Sequence, residues 1–418
     1  MFAPPRSNLR AARWALPFLA VCLLANPPAA PAAGHLAING FAALGGSVGD
    51  FPDTGPFFPE PDPLAWDATL RLLVEAETGP AGPGLSLNLR QTVRSAVASP
   101  AGNGIGGPPS VERSGLLAWR QGESSSALAM LELDTGLIRR SWNRLDLTVG
   151  RQPVNLATTF FFTPNDLFAP FAAQTFFRVY KPGVDGARAE IRLANLAQLT
   201  LLVVLGYAAE PDSDTGWSDT PALNRTSLLG RYLVEAEGFQ WGLLAGTLRN
   251  ELLAGGSLQG EVGAGLGLRA EAHGSTERGT EYLAAVVGLE YRLANGLDLR
   301  CEQYRDTRGF ATAGALNLAL NRALTGADPL PGRLGRDYSA FGMNYQFTPL
   351  LSGAFLLLTN WSDRSGLATV NAVYSLADNS ELAFGLAVPW GREPDGDRIN
   401  SEFGLSPTAL SLDFRHFF

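Results

Sequence analysis

The residues best placed to do chemistry are charged side chains that recur at every second position near the middle of the chain. They are Arg269, Glu271, Glu290, Arg292, Asp298, Arg300 and Glu302, and Arg188 follows the same pattern on an earlier segment. Apolar residues such as Leu289, Tyr291 and Leu299 fill the alternate positions. Because successive side chains of a β-strand point to opposite faces, the pattern predicts strands with one charged face and one apolar face.

One hairpin can be predicted in register. The loop 294–296 ends in a glycine that can adopt the left-handed conformation of a three-residue hairpin. That register places Arg292 opposite Asp298 and Glu290 opposite Arg300, and each such pair contributes about 0.2–1 kcal/mol. A wall of paired charges belongs in a water-filled lumen rather than against lipid. For any single pair, a purely structural role is favoured over direct contact with a solute.

Enzymatic chemistry finds little support in the composition. The chain has three histidines and two cysteines, of which Cys22 lies in a predicted N-terminal leader. Gly102-x-Gly104-x-x-Gly107 resembles a dinucleotide fingerprint in letters only, because it lacks a βαβ setting. The carboxylates at 212, 214, 395 and 397 could bind calcium or keep loops solvated, and solvation is favoured. The sequence predicts no catalytic residue, no cofactor and no metal site.

The N-terminus predicts a secretory signal peptide over residues 1–33. Arg6, Arg10 and Arg13 precede an apolar stretch at 14–25 that is too short to span a membrane, and Ala30-Pro31-Ala32 has the form of a cleavage site. The formal charge of −8 includes these three arginines, so the mature chain carries −8 − 3 = −11. This acidic balance argues against nucleic acid as a partner. Residues 34–418 are predicted to form one domain.

The last ten residues alternate between an apolar and a polar face. Apolar side chains occupy the alternate positions Leu410, Leu412, Phe414 and Phe418, with His416 between them. About ten residues is the length of a tilted strand that crosses a bilayer, and such a strand requires a closed barrel. The C-terminal Phe resembles the signal read by the assembly machinery of Gram-negative outer-membrane barrels, with Leu412, Phe414 and Phe418 carrying it. The alternative is an edge strand of a soluble β-protein.

The rhythm of alternation predicts an all-β fold: a closed antiparallel transmembrane barrel of about 18 strands, with 16 possible. Assigning residues 113–120 to a loop makes the count even and sorts the connections into short periplasmic turns and long extracellular loops. The predicted strands are 35–47, 64–77, 85–97, 125–138, 143–152, 183–193, 198–208, 224–236, 239–248, 252–261, 264–273, 280–293, 297–305, 337–347, 350–360, 365–375, 379–389 and 409–418. A short helix is predicted within the loop that follows residue 306, at 315–324.

A family resemblance lies in the middle of the chain. The segments Gly150-Arg151-Gln152, Pro164-Asn165-Asp166-Leu167 and Lys181-Pro182-Gly183-Val184-Asp185-Gly186 resemble a pattern of porin-like outer-membrane barrels, which include alginate-export-type and phosphate-porin-like proteins. Gly186 replaces the alanine of that pattern. The resemblance implies a channel-forming barrel in the bacterial outer membrane, in contact with its lipid and lipopolysaccharide. It is also compatible with a homotrimeric assembly. It does not assign a solute.

The loop at 153–180 carries seven phenylalanines, at 160, 161, 162, 168, 171, 176 and 177. Such a loop would leave an unusually large apolar patch in water. We therefore expect the phenylalanines to be buried in the barrel interior, in a subunit interface or at the boundary of the outer leaflet. We expect the loop to fold into the lumen and narrow it, with Asp166, Arg178 and Lys181 bordering the constriction; the alternative is a loop packed on the rim or between protomers.

These observations predict a passive channel for small hydrophilic solutes or ions. Two other functions remain open at this stage. The chain could be a structural sheath or docking barrel for a periplasmic partner such as a cytochrome. It could also export an anionic polysaccharide, which would require a strongly basic lumen.

The C-terminal strand is testable by itself. Deleting Phe418, or replacing Phe414 with Asp, should block assembly and leave periplasmic aggregates. At the bilayer midplane an outward Arg or Lys costs about 2–4 kcal/mol and an Asp somewhat less. Membrane fractionation measures the outcome, and normal outer-membrane yield of both variants would show that this strand is not the assembly signal.

Overall fold

The computed structural model describes most of the chain. It covers residues 35–52, 62–79, 82–95, 111–124, 127–193, 196–210, 213, 217–263, 265–277, 279–312, 314–315, 317, 333–396 and 398–418. The predicted signal peptide, the glycine motif at 102–107, the carboxylates at 212, 214 and 397, and most of the predicted helix lie outside these residues. Within them, no helix has the length and apolar character needed to cross a membrane.

The described residues form twenty-one strands. In chain order, β1 to β21 are His35–Asp50, Leu64–Glu77, Gly84–Ser95, Ala118–Glu123, Ala127–Trp142, Leu145–Gln152, Val184–Arg192, Ala197–Val204, Tyr207–Ala209, Trp217–Pro221, Ser227–Ala236, Phe239–Leu248, Glu251–Val262, Leu266–Glu277, Thr280–Arg292, Asp298–Asp306, Asp337–Thr348, Leu351–Asn360, Ser365–Ala377, Ser380–Trp390 and Thr408–Phe417.

Eighteen of these strands close into one antiparallel barrel. Each pairs with its neighbours in the chain once β4, β9 and β10 are set aside, and β1 pairs with both β2 and β21 to complete the ring. The predicted count of eighteen is confirmed, and the alternative of sixteen is wrong. Closure is what allows strands to cross lipid, because it leaves no strand edge without hydrogen-bonding partners.

The sequence rhythm located these strands closely. Observed bounds for Leu64–Glu77 and Phe239–Leu248 coincide with the predicted ones. Differences reach four residues, as at β8, which was expected to reach residue 208 and ends at Val204. The Leu205 N–H still donates to the Asp185 carbonyl of β7, whereas the Tyr207 N–H donates to the Val111 carbonyl. Beyond Leu205 the chain therefore pairs with other segments, and β9 pairs with β10.

Alternation separates an outer and an inner face along each strand. On β12, Leu243 is 66% exposed while its neighbour Leu244 is 4% exposed, and on β13 Leu252 and Leu253 show the same contrast at 76% and 3%. The exposed apolar residues form the outer surface of the barrel. This is the surface that lipid covers in a membrane barrel, where lipid-facing and lumen-facing residues alternate.

The two ends of the barrel differ in their connections. At the turn end, strands are joined by tight turns such as Glu237-Gly238, where φ is +55° and +79°. At the loop end lie the long segments, including 153–183 and 391–407. The predicted separation of short turns from long loops is thus present in the fold.

The predicted hairpin register is confirmed. The predicted Glu290–Arg300 ion pair is present at 3.9 Å, but shorter contacts link both residues to other partners. Arg292 faces Asp298 and Glu290 faces Arg300, with Gly296 at φ +88°. Arg300 Nε lies 2.9 Å from Asp298 Oδ1 on its own strand, and Arg269 Nη2 lies 3.0 Å from Glu290 Oε1 on the preceding strand. The arginine side chain is long enough to reach acids on its own strand or diagonally across the same face. The strand register by itself therefore does not decide which acid it pairs with.

The segment assigned to a loop at 113–120 contains part of a short strand. Strand β4 pairs with the outer part of β5, from Ala118 opposite Glu132 to Glu123 opposite Leu128. It does not cross the barrel, so the even count stands. It occupies the position beside β5 that an extension of β6 beyond Gln152 would take.

The division between faces can be tested with the lone described cysteine, Cys301, which is exposed on the outer face opposite Leu289. In isolated outer membranes, a charged maleimide should not label Cys301, because lipid shields it. The variant Arg292→Cys with Cys301→Ser places a thiol on the inner face at the turn end and should be labelled. Equal labelling of the two proteins in membranes would contradict this assignment of faces.

Candidate functional site

The segment 153–183, which we call the inner loop, lies inside the barrel. It leaves the wall after Gln152 and rejoins it at Val184. On one side the ring of Phe161 lies against Gly342 of β17. On the other side Tyr180 stacks on Phe41 of β1 at a centroid distance of 5.3 Å. The inner loop therefore contacts inner-face residues on widely separated strands.

Two wall carboxylates hold the first part of the inner loop through its backbone. Glu302 accepts the N–H groups of Phe160, Phe161 and Phe162 at 2.6, 2.9 and 2.9 Å. Glu271 accepts those of Thr158 and Asn165 at 2.5 and 3.0 Å. Charge-assisted hydrogen bonds of this kind are stronger than neutral ones, and they satisfy buried groups on both sides.

Both carboxylates were predicted from sequence as lumen-facing, and they are only 2% and 4% exposed, for Glu271 and Glu302 respectively. Their role as anchors was not predicted. No local pattern indicates it, because the N–H groups that they bind lie more than a hundred positions away in the chain.

The ring of Phe160 lies between two wall guanidinium groups. The distances from the ring centroid are 4.3 Å to Arg269 and 3.9 Å to Arg300, which are cation–π contacts. Arg269 also donates to the Thr158 carbonyl at 2.8 Å and to Gln259 Oε1 at 2.9 Å. Arg269 and Arg300 thus connect the inner loop to the polar side chains of the inner wall.

Apolar residues of the inner loop pack into two clusters with the wall. The first joins three loop residues to strands β7 to β13: Val154, Leu156, Phe168, Val184, Leu202, Val204, Leu229, Leu244 and Leu253. The second joins two loop residues to strands β15 to β19: Phe162, Ala173, Val286, Tyr304, Tyr338, Ala340, Leu356, Leu358 and Leu367. Burial of these side chains stabilises the loop inside the barrel, at about 25 cal/mol per Å² of apolar area.

These packing contacts account for the seven phenylalanines. Phe162 and Phe168 are 1% and 0% exposed, and the other five are half-buried. Of the three locations considered from the sequence, contacts with the wall place five of them in the barrel interior, at 160, 161, 162, 168 and 177. One of the half-buried rings, Phe177, lies under the Arg415 guanidinium of β21, with Cζ 3.1 Å from the ring centroid.

The three predicted constriction residues are engaged within the loop itself. Lys181 Nζ forms an ion pair with Asp166, and their side chains are 9% and 4% exposed. Burial raises the pKa of Asp166 and lowers the pKa of Lys181, while the partner's opposite charge works against both shifts. Arg178 donates to the carbonyls of Phe160, Ala173 and Thr175. All three side chains hold the loop in shape, and their effect on passing ions stays a prediction.

A charge cluster on β2, β3 and β5 was not predicted from the sequence. Arg71 and Arg90 face each other across neighbouring strands, which would be unfavourable without acids nearby. Asp134 Oδ2 lies 2.5 Å from Arg71 Nη1, and Glu132 pairs with Arg90. Arg113, from the segment before β4, reaches both acids at 3.1 and 2.9 Å. The alternation of Arg71 and Arg90 with apolar residues was visible, but their partners were not.

The remaining predicted lumen residues lie on the same inner face. Arg188 is half-buried with its Nε 3.5 Å from Glu190 Oε2. Glu290, Asp298 and Arg300 are half-buried and paired as described above, whereas Arg292 is exposed at the turn end. Glu290, Arg292 and Asp298, together with Gln259 and Arg269, border a cavity of about 730 Å³ at the turn end of the interior.

The predicted assembly residues lie on the outer face or at the end of the closing strand. Leu412 and Phe414 are 51% and 41% exposed. Phe418 exchanges two backbone hydrogen bonds with Gly40 of β1, at 2.8 and 2.9 Å, which completes the seam of the barrel. Their role in assembly stays a prediction.

At the loop end, Glu402 joins two connections to the wall. It accepts hydrogen bonds from the Tyr338 hydroxyl, the Leu334 N–H and the Asn360 amide. Burial raises the pKa of Glu402, and these donors work against that shift. Phe403, the next residue, packs on the second apolar cluster, so the 391–407 segment also folds inward. In the part of the chain that the structure describes, no group of His, Cys, Asp and Glu is arranged to hold a metal ion.

Comparison with solved structures gives the same architecture. OccK11 (OpdR) from Pseudomonas aeruginosa superposes with a TM-score of 0.53 at 13% sequence identity, over 91% of this chain and 95% of that chain. A mutant of Rh. blastica porin aligns with a TM-score of 0.46 at 12% identity, over 92% of this chain and 100% of that chain. At 13% identity, the similarity to OccK11 (OpdR) concerns the fold alone. No protein-family model matches the chain, and no curated protein matches it.

The pair inside the inner loop gives a test of how the loop is held. Lys181→Met leaves the Asp166 carboxylate buried without its partner, which should cost about 3 kcal/mol of local stability. The double variant Asp166→Leu with Lys181→Met should cost less, because no buried charge remains unpaired. Hydrogen–deuterium exchange of the amides in 153–183 measures the local opening. Equal exchange in the single variant and the wild type would show that this pair does not stabilise the loop.

Proposed function

We propose that this protein is an outer-membrane channel through which small hydrophilic solutes or ions diffuse passively, narrowed by the inner loop. The proposal includes export by the predicted signal peptide and insertion of the barrel in the bacterial outer membrane. The observation that carries it is a polar inner wall, rich in paired charges, to which a long loop is anchored at Glu271 and Glu302. A merely structural barrel has no need of a charged interior of this kind.

The charge pattern of the interior supports diffusion of small solutes rather than capture of one strongly charged class. The inner-wall arginines whose contacts are described above lie close to carboxylates, as Arg71 does to Asp134 and Arg269 does to Glu290. Arg415 and Glu381 form another such pair at 2.9 Å. Paired charges leave a polar, hydrated surface with local fields, which orders passing ions and dipoles without binding them tightly.

This pairing disfavours export of an anionic polysaccharide. That function would require a strongly basic lumen, whereas Glu132 and Asp134 compensate the richest arginine cluster of the described interior. If the protein is instead a sheath or docking barrel, the inner loop should plug the barrel. Conductance distinguishes it from a channel, because a plugged barrel passes no current. A homotrimer stays a prediction in either case.

Removal of the inner loop tests the proposal. Gln152 and Val184 are direct neighbours on β6 and β7, so a two-residue Asn-Gly turn can join them in place of 153–183. Barrel stability resides in the strand ladder, so the variant should keep the heat-modifiable mobility of a folded barrel. Single-channel conductance in planar bilayers should rise severalfold, because the interior loses its main obstruction.

Replacement of residues 210–216, in the connection between β9 and β10, by the same Asn-Gly turn serves as the control and should leave conductance unchanged. Unchanged conductance in a folded inner-loop deletion would show that the loop does not narrow a pore. Absence of any current from the wild type would favour the sheath over the channel.

A further inference from the structure

The wall of the barrel has a gap where the inner loop leaves it, and another segment fills that gap. Strand β6 ends at Gln152 and β7 begins at Val184, while β5 continues outward to Ala127. Residues 111–123, which we call the strap, lie against these strands at the loop end. The Asp185 N–H donates to the Glu112 carbonyl at 2.9 Å, the Tyr207 N–H donates to the Val111 carbonyl at 2.8 Å, and β4 pairs with β5.

One ion pair lies at the centre of this junction. Arg151 and Asp185 are direct neighbours on β6 and β7, with Nε–Oδ1 at 2.6 Å and Nη2–Oδ2 at 2.9 Å. Arg151 also donates to the carbonyls of Leu133 and Ser114, both at 3.0 Å. The Ser114 N–H in turn donates to Asp185 Oδ2 at 2.7 Å. The pair therefore joins β5, β6, β7 and the strap.

The pair also fixes the two ends of the inner loop. Arg151 precedes Gln152, the last residue of β6, and Asp185 follows Val184, the first residue of β7. Gly183 donates its N–H to the Asp134 carbonyl at 3.1 Å, and a Cβ at this position would lie 2.8 Å from Arg151 Cγ. The glycine is required for the returning chain to approach the arginine this closely.

We propose that Arg151 and Asp185 are the positioning residues of the constriction: they clamp both ends of the inner loop and fasten the strap over the gap, so that the loop keeps one path through the barrel. This rests on the proposed function in so far as the loop narrows a pore. Arg151 is 2% exposed, so its charge is of little use to a passing solute. Its five donors in a rigid fork suit it to serve three acceptors at once.

The same two strands supply a matched control. Arg192 Nη2 lies 3.0 Å from Asp146 Oδ2 at the turn end of β6 and β7. This pair has the same chemistry and joins the same strands, but it is distant from the inner loop along both strands and Arg192 is more than half exposed. Loss of it should cost little, as is usual for exposed ion pairs.

The test compares Asp185→Asn, Arg151→Lys, Ser114→Pro and the control Asp146→Asn, each first checked for the heat-modifiable mobility of a folded barrel. Ser114 has φ −61°, which proline accommodates. That variant removes the N–H donor to Asp185, together with the hydroxyl that accepts the Leu116 N–H, and leaves the ion pair in place. In Asp185→Asn, amide exchange in 153–183 should be about tenfold faster than in the wild type. Single-channel currents should fluctuate among several levels.

Arg151→Lys should give an intermediate effect, because a single ammonium nitrogen donates at most three hydrogen bonds from one point, whereas Arg151 donates four from three nitrogens. Ser114→Pro should loosen the strap and the loop in the same direction, which keeps the proposal testable if Asp185→Asn fails to fold. Asp146→Asn should match the wild type. Wild-type exchange in both folded Asp185→Asn and Ser114→Pro would overturn the proposal, as would equal changes in Asp146→Asn. Faster exchange in a barrel that never conducts would support the clamp and contradict the channel.

Discussion

The whole structure depends on the need to pair every backbone group of a closed sheet. A barrel that crosses lipid cannot leave a strand edge open, because an unpaired N–H or C=O in an apolar medium costs several kcal/mol. Diverting residues 153–183 into the interior shortens β6 and β7 and exposes the edges of the strands beside them. The strap meets that constraint with main-chain hydrogen bonds to Asp185 and Tyr207 and with the pairing of β4 to β5.

A second constraint is the cost of placing charge inside a partly dry barrel. Removing a carboxylate or guanidinium from water is tolerated only when partners replace the lost hydration. Glu302 meets this requirement with three backbone N–H groups, and Arg151 does so with Asp185 and two carbonyls. These charged side chains therefore hold the loop to the wall. A fully apolar interior could pack the same loop but would offer no path for hydrated solutes.

The two constraints act together on the geometry of the constriction. The inner loop is held by apolar packing on two sides, by carboxylates at Glu271 and Glu302, and by the Arg151–Asp185 clamp at its ends. The path of the loop is thus set by contacts distributed around the barrel, and in the proposed channel these contacts would also set the width left for solutes. Asp166, Arg178 and Lys181, which looked from sequence like pore-lining charges, contribute to the rigidity of the loop because each has partners within it.

The sequence by itself predicted the strands of the barrel wall and their faces, and it gave their number as about eighteen with sixteen left open. A period of two is a local property, so the bounds of Leu64–Glu77 and the register of Glu290 with Arg300 could be predicted without knowing the fold. The seven phenylalanines also showed that the loop at 153–180 needed an apolar environment. Only the tertiary structure decided which groups meet. Phe160 and Glu302 are 142 positions apart, and Arg151 and Asp185 are 34 apart with the whole inner loop between them. Acids and arginines of one face are interchangeable in a sequence pattern, so their partners follow from the closure of the barrel and the path of the loop inside it.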